Sequence, residues 1–258
     1  MKNKVLLDTN ILIAASVYFA GSEVYDYRIQ HDFFDKAMQL IGLVKKYLAK
    51  RIGIITATIE NEVHLVFNKA ILDTVKKYTK TVGRSDAFEI MSTIADSCES
   101  RLNELMLFLL REPIDPLQKS VWFVAITEMF EKLKERAEEI DPQDIAYRRA
   151  GTQSSKRLVR TAYEVFLEQE NQRFAQLKRL LDSRKEPDKI DKEILAEAAY
   201  LNCFYKQTEG EITMFLATTD LTLSPIPYTI ESRIVTDEIQ KRLSVVCDWP
   251  DRIAKKLG

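Results

Sequence analysis

Histidine, cysteine, glycine and proline are all scarce in this chain, and each scarcity closes off a class of explanation. Three cysteines, Cys98, Cys203 and Cys247, stand far apart in apolar surroundings, so buried reduced thiols are expected rather than a disulfide framework. No Cys-x-x-Cys occurs, and the only histidines are His31 and His64, which leaves no spacing suited to a zinc site. Seven glycines and seven prolines in 258 residues provide few breakers, so long helices should dominate. No apolar run reaches the roughly 18 residues that a membrane span requires, and no signal-peptide core follows Met1 to Lys4. A soluble cytoplasmic protein without a membrane partner is therefore expected. Excess charge of one sign is also missing: the formal net charge is −1, which excludes a polycation that coats nucleic acid.

With 46% hydrophobic residues the chain has material for a substantial core, in one large domain or two small ones. Short apolar runs at Lys4 to Leu7, Ile52 to Ile55, Met214 to Ala217 and Ser244 to Cys247 read as strands. Helix-period segments separate them, which predicts β–α alternation and a short parallel sheet with helices on both faces, an α/β/α sandwich of three layers. From about Lys69 to Glu186 the alternation stops. Asp86 to Arg111, Pro116 to Ile140 and Gln153 to Ser183 read instead as successive amphipathic helices. Residues 1–68 and 187–258 are thus expected to form the α/β core, with 69–186 a long all-helical insertion packed on it. The insertion's aromatics, Trp122, Phe123, Phe130, Tyr163 and Phe166, are assigned to its core.

Three stretches carry basic residues without acids: Lys36, Lys45, Lys46, Lys50 and Arg51; Lys76, Lys77, Lys80 and Arg84; and Arg148, Arg149, Lys156, Arg157 and Arg160. Each could supply contacts to a phosphate backbone, and each could equally be a solvated helix face.

Four acids carry most of the functional information. Asp8 ends the first strand and Asp220 follows the third. Glu62 lies on the helix after the second strand, whose start Thr56 or Thr58 can cap, and Asp191 opens a helix rich in small apolar residues. The carboxyl edge of a parallel sheet is where α/β proteins bind ligands. Carboxylates gathered there repel one another unless cations lie between them, which points to a hard divalent ion. Each acid also has a structural alternative. Asp8 and Asp220 could cap helices, Glu60 rivals Glu62, and either Asp188 or Asp191 caps the helix after Pro187. Glu197, nearly two turns beyond Asp191, is expected to be solvated rather than a supporting group. His64 is expected at the surface or in packing.

The segments Leu7-Asp-Thr-Asn-Ile-Leu12, Thr56-Ala-Thr-Ile-Glu-Asn-Glu-Val63, Asp191-Lys-Glu-Ile-Leu-Ala-Glu-Ala198 and Phe215-Leu-Ala-Thr-Thr-Asp-Leu221 occur in an order, and on elements, that resemble the PIN-domain family of metal-dependent nucleases, related in fold to flap endonucleases. The resemblance covers residues 1–68 and 187–250. It implies that Asp8, Glu62, Asp191 and Asp220 are catalytic and bind Mg²⁺ or Mn²⁺, with Asn10 and Thr219 as polar helpers. It further implies an endoribonuclease acting on single-stranded RNA through a metal-activated water, leaving 5′-phosphate and 3′-hydroxyl ends. Arg148, Arg149, Lys156, Arg157 and Arg160 are candidate contacts to the RNA backbone. Many members carry a further acid soon after the fourth motif, where this chain has Thr222 and Ser224, so one ion or two remain open. Small members include toxins with a protein inhibitor; this chain is about twice their size, so that role is not assumed, while a protein inhibitor or antitoxin and a homodimer through apolar helices of the insertion both stay open. An inactive RNA-binding or assembly scaffold is the alternative. A phosphatase of the haloacid-dehalogenase type is disfavoured, because it needs an acid where Asn10 stands.

Overall fold

Val5, Leu6 and Leu7 of strand β1 (Lys2–Leu7) have no exposed surface, as expected of a strand covered on both faces. The computed structural model describes residues 2–18, 34–82, 87–138, 187–220, 222–224 and 230–258. Around β1 stand β2 (Gly53–Ile55), β3 (Leu110–Arg111), β4 (Ile212–Ala217) and β5 (Val245–Asp248), in one all-parallel sheet of order β3-β2-β1-β4-β5. Eight α-helices lie among the described residues: α1 (Thr9–Ile13), α2 (Phe34–Lys46), α3 (Ala57–Val82), α4 (Ala87–Leu107), α5 (Pro116–Glu138), α6 (Lys189–Glu209), α7 (Ile230–Leu243) and α8 (Pro250–Leu257). A π-helical turn, Ala14–Tyr18, continues α1. Helix α2 packs on α8 and the π turn, which in turn meets α4; α6 packs on α5 and β4, and α7 on β5. The fold is therefore α/β and mostly helical, consistent with three layers.

The strand order positions the site. The chain steps from β1 outward to β2 and β3, then returns to build β4 and β5 on the other side. This reversal puts the topological switch point, where parallel α/β sheets form their crevice, between the carboxyl ends of β1 and β4. Register sets what meets there: Leu7 pairs with Ala217 and Leu6 with Ile54, so Asp8, Thr218 and Thr56 emerge together just past the ladder.

All four expected strands are present, with ends shifted by one or two residues. The fifth, β3, lies where a helix was expected to run on to Arg111. Leu110 and Arg111 pair with Ile54 and Ile55, so sheet hydrogen bonding overrides the helical period and the 69–186 stretch is not all-helical. Helices α4 and α5 fall close to expectation, whereas Gln153 to Ser183, including Tyr163 and Phe166, lies outside the described residues. Phe130 is fully buried, and Trp122 and Phe123 pack partly buried against the core. Gly53 is required by crowding: a Cβ there would stand 2.4 Å from a Val44 methyl and 2.9 Å from one of Leu109.

Burial pushes the Cys98 thiol up to about 12 and raises that of Cys247 as well. Cys203 departs from expectation, being half-buried on α6. No helix among the described residues is long and apolar enough to cross a membrane.

Candidate active site at the carboxyl edge of the sheet

Asp8 is 3% exposed, and its backbone continues the ladder by donating to the Ala217 carbonyl at 3.0 Å. It takes the N-cap position of α1, so the structural role weighed for it is partly realised. Its Oδ1 accepts from the Thr9 amide at 2.7 Å, and its Oδ2 from the Asn10 side chain at 2.7 Å and from the Thr218 hydroxyl. Asn10 also donates to Thr218 Oγ1 at 3.2 Å and accepts the Thr219 amide at 3.2 Å. Thr219 thus contributes its backbone, while Thr218 contributes the hydroxyl.

The other three acids arrive from separate elements. Glu62, on the second turn of α3, accepts the Thr9 hydroxyl, whereas Glu60 turns away to Arg111 at 2.8 Å. Asp191 opens α6 in a capping box with Asp188: the Asp188 side chain accepts the Ile190 and Asp191 amides, and Asp191 accepts the Asp188 amide at 3.1 Å. Asp220, just past β4, holds a tight turn by accepting the Thr222 amide and hydroxyl. It also donates its amide to Thr218 Oγ1 at 2.9 Å.

Electrostatics ties these acids together. Burial pushes the Asp8 carboxyl up to about 7 against the lowering bond from Thr218, and the charges of Glu62 and Asp220 push it the same way. Asp191 is pushed up to about 7, first by burial and then by Asp220, Asp188 and Asp8. Glu62 is raised by burial and by Asp188 and Asp220, against the Thr9 hydrogen bond. The charge of Asp220 thus reaches Asp8, Glu62 and Asp191, and that of Asp188, weighed only as a cap, reaches Glu62 and Asp191.

No Lys, Arg or His pairs with Asp8, Glu62, Asp191 or Asp220 among the described residues. The contrast with two neighbouring buried acids is sharp. Asp248, at the end of β5, pairs with Lys256 at 2.8 Å and Arg252 at 3.7 Å. Glu197 corrects the expectation that it is solvated. It is 2% exposed and accepts the Thr56 hydroxyl at 2.5 Å, the Thr58 hydroxyl, and Lys119 at 2.7 Å. Thr56 and Thr58 thus spend their hydroxyls on Glu197, and Thr56 receives α3 through its carbonyl, which accepts the Glu60 amide at 2.9 Å. Burial works against the Lys119 ammonium, but Glu197 and Glu193 outweigh it and raise its proton affinity.

As to a bound ion, the donors in the crevice are hard carboxylate oxygens without counter-ions, the chemistry Mg²⁺ and Mn²⁺ prefer. Each carboxylate is also held by its own hydroxyl or amide donors. Among the described residues no three His, Cys, Asp or Glu side chains stand close enough to grip one ion together. The donor type is that of a hard divalent ion, but the spacing among the described residues brings no three donors to one ion.

The basic stretches divide. Lys36 lies at the carboxyl edge, 4.5 Å from the Trp249 ring centroid. Lys50 and Arg51 lie at the opposite edge, lining a cavity of about 510 Å³ with Lys2, Lys4, Tyr47 and Glu209. Two of its cations are already paired, Lys2 and Lys4 lying 3.4 and 2.9 Å from the Glu209 carboxylate. Lys76 pairs with Asp73 at 3.9 Å. Arg84 and the stretch Arg148, Arg149, Lys156, Arg157 and Arg160 lie outside the described residues. His64 is exposed, as expected.

Comparison of the chain with family models, curated proteins and solved structures returned no match.

Proposed function

We propose that this chain is a Mg²⁺- or Mn²⁺-dependent nuclease with a PIN-type α/β/α sandwich, hydrolysing phosphodiester bonds in single-stranded RNA. One observation carries the proposal: four buried or half-buried carboxylates from separate elements lie around the topological switch point with no basic partner among the described residues, while the adjacent buried acids Asp248 and Glu197 each have at least one. Clustered carboxylates destabilise one another, and a hard cation relieves that cost.

Asp8, Glu62, Asp191 and Asp220 would hold the ion or ions. Bound there, such an ion supplies Lewis acidity to a phosphoryl oxygen and a water acidic enough to attack at neutral pH. Asn10 and Thr218 orient Asp8, Thr9 orients Glu62, and the Thr222 turn orients Asp220. Lys36, over the Trp249 ring at this edge, is a candidate contact to the RNA backbone. The decisive measurement is cleavage of a labelled single-stranded RNA in Mn²⁺. Asp8→Asn and Asp220→Asn should each lower the rate by more than about 100-fold, beyond the cost usual for groups that merely support a metal ligand. Undiminished cleavage in both variants would refute it.

A second reading, an RNA-binding or assembly scaffold without catalysis, is favoured by the absence of a three-carboxylate grip among the described residues. It requires that wild-type protein bind RNA without Mn²⁺ and leave it intact with Mn²⁺.

A further inference from the structure

Glu197 links the two helices that bring Glu62 and Asp191 to the crevice. It lies six residues after Asp191 on α6, a rise of ~9 Å along a rigid helix. Its carboxylate receives both hydroxyls from the start of α3, Thr56 at 2.5 Å and Thr58. Thr58 and Glu62 are four residues apart and share one face of that helix, so whatever holds Thr58 also sets the approach of Glu62. The counter-charge comes from α5: Lys119 donates to Glu197 at 2.7 Å and to Thr58 at 2.8 Å, and pairs with Glu193 at 2.9 Å. Glu197 is thus fully buried, fully bonded and neutralised, with no direct access to the crevice ligands.

We infer that Glu197, with Lys119 as its counter-ion, is a positioning residue that fixes the spacing of Glu62 from Asp191 and thereby sets the affinity of the crevice for a divalent ion. The inference rests on the proposal that the crevice holds such an ion. It gives the helical layer a task in the site: α5 contributes Lys119, the described cation that lets a carboxylate remain buried between α3 and α6. Hydrophobic packing alone would hold these helices together, but it would leave their sliding register loosely specified. Directed bonds to two hydroxyls at the helix start, two residues apart, specify it.

The test compares wild type with Glu197→Gln and, in case that variant folds poorly, Thr58→Val, which removes one hydroxyl while nearly keeping shape. Metal-free hydrogen exchange, read by mass spectrometry, should quicken in residues 56–62 and 188–195 and stay unchanged in β1. Mn²⁺ titration followed by electron paramagnetic resonance, normalised to folded protein, should show an affinity loss of about tenfold in Glu197→Gln, as for other groups that orient metal ligands, and a smaller loss in Thr58→Val. Unchanged exchange in both variants, or altered exchange with wild-type Mn²⁺ affinity, overturns the positioning role. Wild-type protein that binds no Mn²⁺ overturns the divalent site itself, a failure distinct from the first because the exchange arm needs no metal.

Discussion

Thr218 donates its hydroxyl hydrogen to Asp8 across 210 positions of sequence, and the pairing of Leu7 with Ala217 makes this the first side-chain contact beyond the β1–β4 ladder. That bond is the largest influence holding the Asp8 carboxyl down against burial. Thr218→Val should therefore move the Asp8 carboxyl further up and displace Mn²⁺ binding to higher pH, with a stability loss of about 1 kcal/mol. Mn²⁺ titrations at several pH values check it, and an unshifted profile would remove Thr218 from the site.

Metal-free stability carries its own pH signature. Asp8 lies near 3.8 when unfolded and about 7 when folded, so between these values the folded state holds the extra proton. Stability contributed by this group is present below about 4 and is lost as pH rises through about 7. Asp8→Asn abolishes the loss, and at pH 8 without divalent ions the variant should be more stable than wild type by about 2–4 kcal/mol. Urea denaturation at pH 5 and pH 8 gives the comparison; a variant less stable at pH 8 would mean that the Asp8 bonds outweigh its buried charge.

Affinity for Mn²⁺ should climb steeply between pH 6 and 8, because Asp8 and Asp191, both raised to about 7, must release protons to become ligands. Roughly a tenfold gain per pH unit is expected for each proton displaced, flattening above about pH 8. Calorimetry in buffers of different ionisation enthalpy counts the protons directly, and a count of zero would exclude both carboxylates as ligands.

Glu60 and Glu62 offer a matched pair. Glu62→Gln should abolish Mn²⁺-dependent cleavage and leave folding intact. Glu60→Gln loses only its pairing with Arg111, which is largely exposed, and should cost at most about 1 kcal/mol with cleavage preserved. Equal activity loss in the two variants would show that the helix start, not a particular carboxylate, is what matters.

Much of this arrangement was legible in the chain. Four short apolar runs marked the sheet, because strands buried on both faces read as continuous apolar runs, and the acids following two of them marked its carboxyl edge. Less legible was β3: two residues at the end of a helical pattern become a strand only because β2 offers an edge to pair with. Glu197 was misjudged for a related reason. Spacing along a helix does not disclose that two threonines and a lysine from other elements await its carboxylate. Asp188 joined the acids by proximity alone, through a capping box whose other member is Asp191.

Helix α3 runs unbroken from Ala57 to Val82, and β3 closes the sheet beside β2. Excising residues 69–186 would therefore sever a helix in mid-span, strip the rim from β2 so that it invites strand pairing with another molecule, and strand the Glu197 anion in the interior without its lysine. Evolution or engineering can shorten this protein at its surface, but the helical layer has become part of the frame that holds the acids in place.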